Sequence, residues 1–166
     1  MPYRFETLTR EDYPMLHRWL AEPHIGGWWG DGPTETALMD EDMQSGKTDM
    51  RIVWHAASNR PFAYVQDYDV RAFEMPHYTE LPEGARAIDT FLGDPDYLGK
   101  GHASGYLRMR ATQLTEAGAP LVVVDPAPEN TRAVAAYAKA GFAGDQIVPC
   151  EDGDPVRIMT FLSPAV

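Results

Sequence analysis

The segment Tyr97-Leu98-Gly99-Lys100-Gly101-His102-Ala103-Ser104-Gly105 sets small residues between an apolar run, Ala87-Ile88-Asp89-Thr90-Phe91-Leu92, and a helical pattern beginning near Ser104. Glycines at 99, 101 and 105 let the main chain approach a ligand closely. The unpaired amides and positive dipole end of the following helix favour an anion there. A phosphate is the expected guest, although a glycine-rich strand-to-helix turn is often only a turn. Upstream, Asp89 sits inside an apolar strand pattern, where a carboxylate without a partner is costly. It has a partner or a task, or the strand end opens it to water. Downstream, Asp125 follows Val122-Val123-Val124 and precedes Pro126 and Pro128, which restrict the chain. That arrangement suits a fixed carboxylate with an ammonium partner, or an ordinary Asx turn. Asn130 and Tyr137 fall two turns apart on one helical pattern and share a face.

These residues need elements to hold them. Tyr3–Leu8 alternates as a strand, Thr9 caps a helix over 10–21, and Pro23 stops it. The loop His24-Ile25-Gly26-Gly27-Trp28-Trp29-Gly30 carries adjacent indoles, serving either as core plugs or as walls of a ligand cleft. An acidic helix over 35–44 precedes an antiparallel hairpin, 51–56 with 62–70, around Ser58-Asn59-Arg60-Pro61. Residues 71–86, with Glu74, His77 and Tyr78, show no period and read as a surface excursion of the kind that shapes pockets. A strand at 87–92, a helix from the glycine turn to Ala117 and a buried strand at 121–124 follow. A short helix at 130–140 and strands at 142–149 and 155–162 complete the order βααβββαβαββ. The pattern predicts a single α/β domain over 1–166, with a mixed sheet of six or seven strands and four helices.

With 166 residues, 44% of them apolar, the chain suits one core rather than two. No apolar run approaches the roughly 18–20 residues of a membrane span. Met-Pro-Tyr-Arg-Phe-Glu lacks a signal-peptide pattern, so a cytoplasmic protein is expected. A lone Cys150 excludes an internal disulfide and a multi-thiolate site. His17, His24, His55, His77 and His102 show no ligand spacing, so no metal is expected. Twenty-five acidic against fourteen basic residues give a net charge of −11. That charge disfavours nucleic acid and anionic membranes and draws polycations, or simply confers solubility. Monomer and weak homodimer both remain open.

The element order, the Leu98-Gly99-Lys100-Gly101-His102-Ala103 turn and the block Asn130-Thr131-Arg132-Ala133…Tyr137…Lys139-Ala140-Gly141-Phe142 resemble the GCN5-related N-acetyltransferases (GNAT). The resemblance spans nearly the whole chain. That superfamily transfers acetyl from acetyl-CoA to amines. Within it, His24…Trp28-Trp29-Gly30, Gln66-Asp67-Tyr68, Ala87-Ile88-Asp89 and Asp125-Pro126-Ala127-Pro128-Glu129-Asn130 resemble the aminoglycoside 6′-N-acetyltransferases. Siderophore-pathway enzymes that acylate lysine or hydroxylysine share the histidine–tryptophan loop and form the alternative. A GNAT-like binding module without turnover is a third reading. Leu98 departs from the Gln or Arg that usually opens the family's turn. Because main-chain amides do the binding, this tunes rather than abolishes the pyrophosphate site.

The resemblance implies a GNAT-like fold, acetyl-CoA as cosubstrate and a cationic aminoglycoside as acceptor. An amine attacks a thioester only when unprotonated, and a thiolate must leave, so a base and a proton donor are wanted. Asp89 is the candidate base or amine-orienting group, and Tyr137 the candidate donor to sulfur; Tyr137 also fits a plain core position. Trp28, Trp29, Gln66, Tyr68, Glu74, Tyr78, Asp89 and Asp125 are expected toward the acceptor. Leu98, Gly99, Lys100, Gly101, His102, Ala103, Ser104, Asn130, Arg132 and Tyr137 are expected on the cofactor. Asn130 bonds the pantetheine arm, caps its helix, or does both. Lys100 and His102 touch phosphates or are simply solvated. Loop acids including Glu80, Glu83, Glu151 and Asp152 add negative field, although one exposed pair is worth only about 0.2–1 kcal/mol.

Overall fold

The structure is a computed structural model that describes residues 1–162. The last four residues of the expected 1–166 domain lie outside the described residues. Strands β1 (Tyr3–Thr7), β2 (Thr48–His55), β3 (Arg60–Asp69), β4 (Arg86–Leu92), β5 (Val122–Val124), β6 (Phe142–Pro149) and β7 (Pro155–Phe161) form one sheet in the order β1-β2-β3-β4-β5-β7-β6. Four α-helices accompany them among the described residues: α1 (Tyr13–Leu20), α2 (Gly32–Ser45), α3 (His102–Glu116) and α4 (Thr131–Ala140). The expected mixed α/β order is what the chain adopts. It divides into two compact units, Met1–Asp67 with Asp89–Lys100, and Tyr68–Ile88 with Gly101–Val166.

In the first unit, β1 pairs antiparallel with β2, from Tyr3 opposite His55 to Thr7 opposite Arg51. Thr9 opens a capping box in which its amide donates to Asp12 Oδ2 at 2.9 Å. The helix expected over 10–21 is therefore a 3-10 turn, Arg10–Asp12, followed by α1. The second helix starts three residues before the expected Glu35, because Asp31 accepts from the Thr34 amide at 2.8 Å and Pro33 pre-sets the first turn. Leu16, Leu20 and Ile25 pack with Met39, Met50 and Ile52 around the buried Tyr64 and Phe91.

In the second unit, β5 runs parallel to β4, with Arg86 opposite Val122, and antiparallel to β7. Its three valines are all buried, as a continuous apolar run in a central strand requires. β6 and β7 form an antiparallel pair whose register shifts between Ala143 and Gln146. Residues 71–86 were expected to pass over the surface without an element. Instead they contain a 3-10 turn, Pro76–Tyr78, and Tyr78 and Ala85 join a core cluster with Tyr68, Val70, Ala87 and Val123. The apolar anchors lie too irregularly along this segment to show a period, yet they bury it. No helix among the described residues is long and apolar enough to cross a membrane.

Candidate functional site

Asp89 lies on β4, half-buried, and its partner is Gln66 on β3, whose Nε2 donates to Asp89 Oδ2 at 3.0 Å. Gln66 is held in turn by Tyr64, whose hydroxyl donates to Gln66 Oε1 at 2.6 Å. Tyr64 and Gln66 are two residues apart on one strand, so both side chains stand on the same face. The phenol controls the order of this chain. Burial, and then the charges of Asp89, Asp42 and Glu35, push Tyr64 well above its ordinary range, so it stays protonated and keeps a hydrogen to donate to Gln66 Oε1. With its oxygen so engaged, the amide of Gln66 turns its N–H₂ to Asp89. Tyr64 was absent from the sequence candidates, and the signal that could have found it is the alternation Tyr64, Gln66, Tyr68.

The tryptophan loop belongs to the same unit and resolves into two roles. His24 Nε2 donates to the Leu92 carbonyl at 2.8 Å, tying the loop to the end of β4. Trp29 is half-buried, edge-on to Phe91 at 4.9 Å and to Tyr64 at 6.2 Å between centroids. It plugs the core beside the Tyr64–Gln66–Asp89 chain. Trp28 is 46% exposed and free to offer an aromatic face. Glu35 accepts from the Gly30 amide at 2.9 Å, adding a carboxylate beside the indoles.

The glycine turn spans the boundary of the two units in sequence, and both of its key glycines adopt left-handed backbone. Gly99 has φ +70° and Gly101 φ +81°, conformations that L side chains rarely take. A 3-10 turn, Pro95–Tyr97, leads into it, with the half-buried Leu98 donating its amide to Pro95 O at 3.2 Å. Gly101 is the N-cap of α3, which begins at His102 rather than near Ser104 and has no side-chain cap. The first helical amide bond is Gly105 to Gly101 O, at 3.1 Å. The amide layer of His102, Ala103 and Ser104 therefore precedes the ladder, the arrangement that suits an anion. Ser104 is buried and its hydroxyl turns back to Gly101 O at 3.0 Å, supporting the turn. Lys100 is exposed. A further cation stands here: Lys139 Nζ lies 3.6 Å from where a Cβ on Gly101 would be.

Asn130 caps α4, its carboxamide oxygen accepting from the Ala133 amide at 3.2 Å. Of the two roles expected for it, the cap is the one its geometry fills. Arg132 is exposed on the first turn of α4. Tyr137 is 8% exposed and sits edge-on to Phe142 at 5.9 Å, so its ring anchors α4 on β6. Tyr68 and Tyr78, expected toward the acceptor, are 3% and 1% exposed and stand in the core cluster of their unit. Their burial corrects that expectation: both rings are core side chains and neither faces an acceptor. Glu74 is exposed on its loop.

Asp125 was expected to await an ammonium group, and its partner within the chain is a histidine. His77 Nε2 lies 2.9 Å from Asp125 Oδ2, and an ionised carboxylate only accepts, so Nε2 carries the hydrogen. The 48 positions separating them hide this pair from any local reading. Among the described residues no group of three or more His, Cys, Asp or Glu could hold a metal ion.

Residues 9–149 match the family model described as an acetyltransferase (GNAT) domain. The aminoglycoside N(6′)-acetyltransferase type 1 of Klebsiella pneumoniae is 30% identical over 159 residues, 92% of this chain and 79% of that protein. Among solved structures, AAC(6′)-Ib in complex with parmomycin and acetyl-CoA superposes with a TM-score of 0.81 at 26% identity, covering 97% of this chain and 93% of that one. The aminoglycoside N(6′)-acetyltransferase from Legionella pneumophila gives 0.77 at 25% identity, with 97% and 92% covered. The uncapped glycine turn before α3 and the Asn130-capped α4 are thus carried by a chain that belongs to the GNAT acetyltransferases.

Proposed function

We propose that this protein is an aminoglycoside 6′-N-acetyltransferase that moves the acetyl group of acetyl-CoA onto a primary amine of a cationic aminoglycoside. The observation that carries the reading is Asp89, a carboxylate with one oxygen tied to Gln66, on the strand just ahead of the glycine turn. Asp89 orients the acceptor amine and takes its proton, directly or through water, as nitrogen bonds to the thioester carbon. The carbon–sulfur bond then breaks, and the Tyr137 hydroxyl supplies the proton that the departing sulfur gains.

The acetyl donor fits the second half of the candidate set. Amides of Gly99 through Ser104 receive the pyrophosphate, with Leu98 at the turn's entry and His102 in the amide layer, and Lys100, Arg132 and Lys139 offset the repulsion of a chain with net charge −11. Asn130 holds the first turn of α4 where the pantetheine arm passes. Each unit brings its own candidates for the acceptor: the first offers the aromatic surface of Trp28 and Trp29 and the amide of Gln66, the second the carboxylates of Glu74 and Asp125. Much of the rate comes from orientation, since effective molarities of about 10⁵–10⁸ M are reached when reacting atoms are held close. We read the chain as one N-acetyltransferase domain over 1–166, working in the cytoplasm, where acetyl-CoA is supplied.

The test is direct. Purified protein with acetyl-CoA releases free thiol when kanamycin or tobramycin is added and not when hydroxylysine is. Thiol release with hydroxylysine and none with the antibiotics overturns the reading in favour of a lysine-type acceptor.

A further inference from the structure

The glycine turn cannot hold itself in place. Gly99, at φ +70°, has no atom beyond its chain neighbours within 4 Å of where a Cβ would stand, and Lys100 beside it is exposed. A left-handed glycine without packing around it is permissive rather than fixed, so the turn inherits its position from its flanks. On the entering side the last buried residue is Tyr97, 7% exposed, at the end of the 3-10 turn Pro95–Tyr97. The chemistry above gives this ring no role.

Tyr97 is gripped by the β2–β3 hairpin of its own unit. Its ring stacks on Phe62 at 4.7 Å between centroids and 20° between planes, and His55 meets it edge-on at 5.5 Å. The Arg60 guanidinium lies over the ring, 5.4 Å from its centre, and donates to Asp94 Oδ2 at 2.7 Å, while Asp94 Oδ1 accepts from the Asp96 amide at 3.0 Å. At the phenol end a polar chain closes the grip: the Tyr97 and Ser58 hydroxyls lie 2.8 Å apart, and Ser58 Oγ lies 2.7 Å from His55 Nδ1. Stacking fixes the plane of a ring but not its position within that plane. A directed bond at the hydroxyl sets the latter.

Resting on the reading of the glycine turn as the pyrophosphate site, we propose that Tyr97 is a positioning residue: Ser58 and His55 of the β2–β3 hairpin fix its hydroxyl, and the fixed ring sets where the Leu98–Lys100 amides stand for coenzyme A. Affinity for the acetyl donor is then decided partly in a hairpin turn that touches no substrate. The Tyr97 amide donates to Asp94 O at 3.1 Å and the Leu98 amide to Pro95 O at 3.2 Å, so a displaced ring carries the entry of the turn with it. Upstream the displacement stops. The Gly93 and Asp94 amides are pinned to Phe62 O at 2.9 and 3.0 Å, which isolates Asp89 on β4 from the movement. Tyr97 therefore acts on the donor and leaves the acceptor chemistry alone.

Calorimetric titration of coenzyme A into wild type, S58A, S58T, Y97F and the Y97F/S58A double variant tests this, alongside steady-state kinetics with kanamycin. Losing one directed bond predicts a coenzyme A Kd about fivefold higher in S58A and in Y97F, with kcat and the kanamycin KM changed less than about twofold. S58T keeps a hydroxyl at an exposed position and recovers most of the loss. The double variant is no worse than the weaker single one, because both changes remove the same bond. The proposal is overturned if S58A and Y97F bind coenzyme A as wild type does, if S58T is as impaired as S58A, if the two losses add, or if the kanamycin KM rises equally, as a general loosening of the fold would produce. S58A alters only an exposed turn, so its result decides the matter even where Y97F folds poorly. A wild type that fails to bind coenzyme A overturns the reading of the turn, and this proposal with it. One that binds coenzyme A but leaves kanamycin unacetylated overturns the acceptor alone, and the coenzyme A series still decides the role of Tyr97.

Discussion

Asp89 shows how much of a residue's role depends on its neighbour. Its position in an apolar strand demanded a partner or a task, and the structure supplies the partner in Gln66, itself oriented by Tyr64. One carboxylate oxygen is thereby engaged and the group is aimed. D89N removes the negative charge and the proton acceptor while keeping the shape. It is expected to lower kcat by about 10²–10⁴-fold with little change in the acetyl-CoA KM, as losing general-base help does, measured by thiol release. Retained turnover in D89N removes Asp89 from the chemistry. Y64F tests the orienting chain, because deleting the hydroxyl leaves the half-buried Gln66 oxygen without its donor and costs about 1–3 kcal/mol of stability in denaturant melts. It carries a pH signature as well. Tyr64 ionises less readily folded than unfolded, so the stability it contributes is complete below the ordinary tyrosine value of 10.0 and falls as pH climbs past it. Y64F should flatten that alkaline fall, and an unchanged slope would assign the loss to other groups.

At the scale of elements, the helix starts differ in a way that matters for binding. α2 and α4 are capped by side chains, Asp31 on Thr34 and Asn130 on Ala133, whereas α3 begins at a left-handed glycine with no side-chain cap. A cap that bonds the first amides would compete with an anion for them. G101A keeps the turn's polarity but forces a Cβ onto φ +81°, a strain of about 1–3 kcal/mol. The acetyl-CoA KM is expected to rise roughly tenfold while the acceptor KM holds, because the strain shifts the amides rather than the carboxylates. An acetyl-CoA KM equal to wild type would remove the turn from cofactor binding. The 71–86 segment carries the opposite lesson: a stretch without periodicity can still be an anchored element, since buried Tyr78 and Ala85 fix it and place His77.

For the molecule as a whole, charge is the property with the longest reach. A net charge of −11 draws a polycationic acceptor and opposes coenzyme A, so the two substrates should respond to salt in opposite senses. Raising ionic strength shortens the screening length from about 10 Å at 0.1 M to about 3 Å at 1 M. The kanamycin KM should rise over that range and the acetyl-CoA KM should not; equal insensitivity of both would leave the acidity as a solubility device. The order of strands and helices, the glycine turn, the Asn130 block and the presence of a strand carboxylate at Asp89 were all readable in one dimension. Each depends on periodicity, on turn chemistry or on spacing within a few residues. Tertiary structure alone decided which tyrosines are core, that Trp29 is packed while Trp28 is not, and that His77 meets Asp125 and Glu151. Local pattern reports which face of an element is apolar, but contacts between residues dozens of positions apart are chosen only when strands pair and loops close over the core.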